Sequence, residues 1–294
     1  MNNFSISQLQ QFSGIKAHTI RIWEQRYNAL NPNRSEGNTR YYDDNQLRRL
    51  LNIVSLMDSD YKVSELCLMP DEKLFSLIDN RFKFKSEESA SAAYFVSQLI
   101  AAGMSYDTYS FEKIFSVCIS KFGITDTYIK VIYPLLDRIG LMWRRDATPP
   151  AQEHYMSNIF RQKIFSEIDK LPPVKSSKDT WLLFLPENEF HEIGLLFSYF
   201  LIRKAGKKVI YLGSNVPLKT LNAAITKINP SNLFLFFVHN NESLECETYC
   251  NTLTKDFGKL KIFIAGNEKL IGNIKKAKSV NWIRSIDELN NQLK

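Results

Sequence analysis

Paired cysteines are missing from this chain of 294 residues. Its 4 cysteines, Cys67, Cys118, Cys246 and Cys250, stand without CxxC spacing, which argues against a zinc knuckle or a disulfide framework. Buried, reduced thiols are the expectation. No stretch approaches the roughly 20 consecutive apolar residues that a bilayer demands, and Met1-Asn-Asn-Phe-Ser lacks the basic and apolar regions of a secretory leader. These absences predict a cytoplasmic protein with no membrane partner. Charge of one sign is also not spread through the chain. The formal excess of +7 gathers after residue 170 while the first eighty residues are close to neutral, so net charge alone is no argument for nucleic acid. Apolar residues are abundant: 44% hydrophobic and 13% aromatic is ample for the cores of two or three domains.

The N-terminal segment carries its own local pattern. Phe4-Ser-Ile-Ser-Gln-Leu9 opens on a serine cap, and Leu9 and Phe12 continue a short helix that stops at Gly14. A second helix follows, with Ile15, Ile20 and Trp23 inward and Lys16, His18, Thr19 and Arg21 outward near its start. In a helix-turn-helix those first residues face base edges in the major groove. Asn31 to Tyr42 then reads as a turn-rich hairpin with Arg34 and Arg40 on its arms, suited to phosphate contact and minor-groove entry. Trp23 is expected in the core, and Glu24 in an intrahelical or wing-locking ion pair with Arg21 or Arg26. A third helix runs from Asp43 to Leu56, and a further one starts at Val63.

The run Thr19-Ile-Arg21-Ile-Trp23-Glu24-Gln-Arg26-Tyr27, the wing Arg34 to Gly37, and Asn38-Thr-Arg40-Tyr-Tyr42 resemble the MerR family of transcription regulators without a gap. The resemblance implies binding to double-stranded operator DNA through Lys16, His18, Thr19, Arg21, Arg34, Arg40 and Tyr41.

The single long dimerising helix that often follows in that family is lacking. Residues 81–170 read as about four shorter helices, among them one with Ile129, Ile132, Leu136, Ile139 and Trp143 in step, which Pro134 should kink; the spacing predicts a helical bundle. Thr148 and Pro149 mark the start of the next helix as cap and first residue. By themselves, Trp143 suits a core stripe, and Glu153 suits a first turn, where the helix dipole favours a carboxylate.

After a linker at 171–179, Trp181 to Pro186 is a buried strand. The turn Glu187 to Glu192 and a helix with Leu195, Leu196, Tyr199, Phe200 and Ile202 at helical spacing follow, and then a strand at Val209–Leu212. Ligands in such folds bind beyond the carboxyl ends of the strands, where His191 stands, and Glu189 is placed to orient its ring. His239 and the Cys246, Cys250 pair look metal-like, but a loop and an exposed helix face account for them more simply.

The spacing from Trp143 to Glu153-His154, together with Glu189-Phe-His191-Glu-Ile-Gly194 and Tyr211-Leu-Gly213, resembles the light-sensing cobalamin-binding repressors of the CarH and LitR type. That resemblance implies a multidomain α and α/β chain. A winged helix-turn-helix would span 1–80, a helical-bundle cap 81–170, and a Rossmann-like (flavodoxin-like) cobalamin-binding domain 180–294. It further implies adenosylcobalamin as cofactor, with His191 as lower axial cobalt ligand, Trp143, Glu153 and His154 on the upper side, and Glu189, Gly194 and Gly266 lining the site. It implies a non-enzymatic repressor that forms a ligand-dependent dimer or tetramer. Two departures weaken the cofactor expectation. Phe236-Phe-Val238 replaces the Ser-x-Leu or Ser-x-Thr that lines the nucleotide-tail pocket, and Gly266-Asn267 replaces Gly-Gly. The alternative is a cofactor-free sensor half that acts through oligomerisation or a protein partner. The lysine-rich stretch Lys269 to Lys278 reads as a solvated face.

Overall fold

The computed structural model describes residues 3–83, 91–143, 150–175, 179–238, 243–272 and 280–294. Two compact units divide the chain, Met1–Ile159 and Phe160–Lys294. Among the described residues no helix is long and apolar enough to cross a membrane.

In the first unit, Ser5 and Gln8 form a reciprocal capping box on α1 (Ile6–Ser13), and Gly14, at φ 75°, ends it. The helix α2 (Ala17–Tyr27) ends on Asn28, also left-handed. Strands β1 (Asn33–Arg34) and β2 (Arg40–Tyr41) pair antiparallel as the wing. Asp43 then caps α3 (Asp44–Ser55) through the Gln46 amide, followed by α4 (Val63–Leu68) and α5 (Asp71–Lys83). Phe4, Leu9, Phe12, Ile20, Trp23, Leu47, Leu50 and Leu51 are buried together in this unit. Arg49 ties the helices: it donates to the carbonyls of Ala29, Cys67 and Met69 at 2.6 to 2.9 Å and pairs with Asp71 at 2.5 Å.

The bundle comprises α6 (Ala92–Met104), α7 (Thr108–Thr127), α8 (Tyr133–Trp143) and α9 (Pro150–Asp169). Gly123, at φ 70° and ψ 165°, breaks α7. Between α7 and α8 lies a π-turn, Tyr128–Ile132, in which the Tyr133 amide reaches the Tyr128 carbonyl. A proline ring collides with the carbonyl four residues back in an ordinary helix, so the wider turn accommodates Pro134 in place of a simple kink. The extra residue also rotates the apolar stripe. Leu135 is fully buried where the regular spacing points to Leu136, and Ile129 is exposed. Buried Gln98 on α6 donates to Asn52 and Ser55 of α3, at 3.2 and 2.8 Å, joining bundle to head. Thr148 and Pro149 fall outside the described residues.

In the second unit the elements are β3 (Thr180–Pro186), α10 (Ile193–Lys204), β4 (Lys208–Val216), α11 (Leu218–Ile228), β5 (Asn232–Phe237), α12 (Ser243–Phe257), β6 (Lys261–Gly266), α13 (Glu268–Ile271), β7 (Val280–Trp282) and α14 (Ile286–Leu293). All five strands are parallel, in the order β4-β3-β5-β6-β7. Every residue of β3 is buried, as a strand covered on both faces requires. This flavodoxin-like order reverses direction between β3 and β5, and the crevice beyond their carboxyl ends is where such sheets place ligands. The four cysteines are buried and none is in a disulfide.

Candidate functional site

The start of α2 presents Lys16, His18 and Arg21 to solvent, with Thr19 half-buried beside them. His18 and Arg21 are three residues apart and so share a helix face. In the wing, Arg34 is exposed and donates to Asn38 Oδ1 at 2.5 Å, while Arg40 and Tyr41 are half-buried. Glu24 does not pair with Arg21 or Arg26, because those side chains point outward and Glu24 points in, only 8% exposed. Its partner is Arg40, Nε to Oε2 at 3.8 Å, and the Tyr42 hydroxyl donates to Oε1 at 2.5 Å. Burial and the Glu24 carboxylate push the Tyr42 phenol upward, so it stays a donor. Glu24 thus locks the wing onto α2.

The second site lies at the switch between β3 and β5. The turn after β3 carries Glu189, 4% exposed. Its Oε1 accepts the amides of Phe190 and His191, both at 3.0 Å, and lies 2.7 Å from His191 Nδ1. Its Oε2 accepts the Val238 amide at 2.9 Å, across the switch on the β5 side. The Glu189 carbonyl accepts Asn215 N–H at 3.1 Å, so this one residue joins the ends of three strands. The chain after it is also anchored: Glu192 pairs with Arg161 at 2.7 Å and accepts the Tyr211 hydroxyl at 2.9 Å. Burial, reinforced by Glu192, raises the Tyr211 phenol. Sequence spacing flags Glu189 and His191 but not the Arg161, Glu192 and Tyr211 cluster, whose members lie far apart in the chain.

Gly194 sits in the first turn of α10, and a Cβ there would lie 2.8 Å from Cε1 of Phe236. The Phe236 ring fills the space the glycine leaves open. Gly266 answers a different demand: at φ 127°, its Cβ would fall 2.1 Å from the Phe237 carbonyl oxygen. Asn267 donates its amide to that carbonyl at 2.8 Å and caps α13 through Lys269 N–H. In the first unit, Glu153 lies 3.2 Å from His154 Nδ1, with the histidine side chain 66% exposed. Gln152 beside them is buried, and its Oε1 has no hydrogen-bond partner among the described residues. Neither the side chain of Trp143 nor any part of His239 lies within the described residues; Cys246 and Cys250, expected on an exposed helix face, are instead buried on the side of α12 that packs into the core with Leu235, Phe237 and Ile264.

Among the described residues, no group of three or more His, Cys, Asp and Glu gathers as a metal site. A single imidazole oriented by a buried carboxylate lacks the ligand set of a closed protein metal site, but it suits a metal whose other positions are already filled, as in a macrocycle. The donor at His191 therefore fits a corrinoid. Where the resemblance places a nucleotide tail, the Phe236 ring packs against Gly194.

Residues 4–68 match the model of the MerR HTH family regulatory proteins, and residues 95–165 match that of a B12 binding domain. The chain joins a MerR-type head to a B12-binding helical domain. The MerR match contains Lys16 through Tyr41, the exposed start of α2 and the wing. The B12 match runs from α6 into α9, past Trp143, Glu153 and His154. Two repressors of Myxococcus xanthus are similar over most of their length. CarH is 27% identical over 255 residues, 86% of this chain and 83% of the relative, and CarA is 27% identical over 239 residues, 79% and 76%. In fold, the monomethylamine corrinoid protein of Methanosarcina barkeri superposes with a TM-score of 0.54 at 13% identity, over 67% of this chain and 96% of that one.

Proposed function

We propose that this MerR-type chain is a cytoplasmic, non-enzymatic transcription repressor whose sensor half holds adenosylcobalamin and answers light by changing oligomeric state. The observation that carries it is the His191–Glu189 pair at 2.7 Å on the switch point of the sheet, in a chain that also bears the MerR head. In this reading residues 1–80 bind double-stranded operator DNA, 81–170 form the cap, and 180–294 form the base of the cofactor site. Lys16, His18, Thr19, Arg21, Arg34, Arg40 and Tyr41 meet the DNA. His191, its ring fixed by Glu189, would hold the cobalt, and Trp143, Glu153 and His154 would contact the bound cofactor. When bound, the cofactor supplies visible absorption and a light-labile cobalt–carbon bond. Assembly follows ligand state only through the difference in affinity between the dimer or tetramer and the separated chains.

The test is absorption spectroscopy and size-exclusion chromatography of the full chain mixed with adenosylcobalamin, in the dark and after illumination. Wild type is expected to bind and to elute differently in the two conditions, and His191→Ala to bind far more weakly or not at all. Identical elution with and without cofactor would overturn the sensor reading. The Phe236 ring over Gly194 favours a second reading, a cofactor-free sensor half, in which operator binding is indifferent to any corrinoid.

A further inference from the structure

We propose that Phe236 closes the crevice at the sheet's switch point to a nucleotide tail, so that the tail of cobalamin contributes nothing to binding and a corrinoid without one, of the cobinamide class, binds at least as well. This rests on the corrinoid reading above and sharpens it.

An imidazole on the lower face of cobalt displaces the base that cobalamin carries on its own tail, and a displaced tail must be housed or left in solvent. The natural housing beside His191 is the crevice between the ends of β3 and β5, roofed by the first turn of α10. Gly194 leaves a side-chain-sized opening in that roof. The Phe236 ring, on β5, occupies the opening so closely that one added carbon on residue 194 would lie 2.8 Å from it. The ring is supported from behind by Phe234, centroids 5.2 Å apart. The crevice does not widen cheaply, because Glu189 holds the Val238 amide at 2.9 Å just two residues beyond Phe236. Seating a tail there requires the ring to leave its packing, whereas a corrin without a tail requires no such movement.

The experiment titrates the full-length protein in the dark with adenosylcobinamide and with adenosylcobalamin, following the absorption change on histidine ligation. Wild type is expected to bind the two with affinities within a few-fold of each other, or cobinamide more tightly. Phe236→Ser is expected to tighten cobalamin binding by about ten- to a hundredfold and to leave cobinamide binding unchanged. Phe236→Leu, which keeps an apolar packing group, should gain less, and thermal melts establish that each variant is folded. Wild type binding cobalamin tenfold or more above cobinamide, or a folded Phe236→Ser with no gain for cobalamin, overturns the inference while leaving the corrinoid reading standing. Absence of binding to both compounds by wild type and variants alike overturns both.

Discussion

Glu189 holds the backbone of Val238 at 2.9 Å, a buried carboxylate from the turn after β3 clamping the chain just past β5. The same side chain orients His191, so the geometry of the candidate ligand and the closure of the sheet's switch point depend on one residue.

Glu189→Ala is therefore expected to lower stability by at least about 2 kcal/mol. It strands three part-buried amide donors, and a donor left unsatisfied costs about 1–3 kcal/mol where burial is complete and less where water reaches it. Glu189→Gln keeps the volume but exchanges one acceptor oxygen for a donor, and should fall between wild type and alanine. Urea denaturation measures both, and a wild-type midpoint for Glu189→Ala refutes the clamp.

On the DNA face, Arg21→Ala and Arg40→Ala should each weaken operator binding. A lost phosphate contact lowers the salt slope by about one unit, whereas a lost base contact costs about 1–3 kcal/mol at one position. Only Arg40→Ala also removes the pairing with Glu24, so it should lower stability slightly, by about 0–1 kcal/mol for a partly exposed pair. Gel-shift titrations at several salt concentrations, with thermal melts alongside, separate the two effects; unchanged binding by both variants sinks the assignment.

The contact between α10 and β5 has a test that needs no cofactor. Gly194→Ala drives a carbon to 2.8 Å from the Phe236 ring and should destabilise by about 1–3 kcal/mol. In a Phe236→Ala background the same change should be close to neutral. A double-mutant cycle reports the coupling, and simple additivity would show that the two residues do not touch.

Burial pushes the Cys67 and Cys118 thiols up to about 11 and Cys250 up to about 12, from an ordinary value of 9.0. The folded state thus favours the protonated thiol. The associated stability is intact below pH 9 and is lost as pH rises from 9 through 11 to 12, since the unfolded chain releases these protons first. The native protein at pH 8 should accordingly react slowly with a disulfide reagent and release all thiols on denaturation. Rapid modification of the folded protein at pH 8 would contradict the burial.

Much of the architecture was legible because its signals are local. Ser5 with Gln8, Gly14, and Asp43 mark helix ends within a few residues, and the uniformly apolar Trp181–Leu185 run announces a strand covered on both faces. Ser285 followed by Glu288 is an equally legible cap for α14, with the Glu288 amide on Ser285 Oγ at 3.1 Å. The three-residue β7 has no such signal, being too short for any period to develop. Leu136 was the natural core choice from a regular helix, and the π-turn ahead of Pro134 moved that place to Leu135.

The sequence by itself determined the helix-turn-helix, the bundle, the alternation of strands and helices, and the pairing of Glu189 with His191, two residues apart on one turn. Tertiary structure alone decided that Glu24 meets Arg40, that Glu189 clamps Val238, and that Phe236 covers Gly194. Periodicity and caps are written by backbone geometry over a few residues. Contacts between residues on different elements depend on which elements pack together and on which way each side chain points, and those are settled only when the whole core packs.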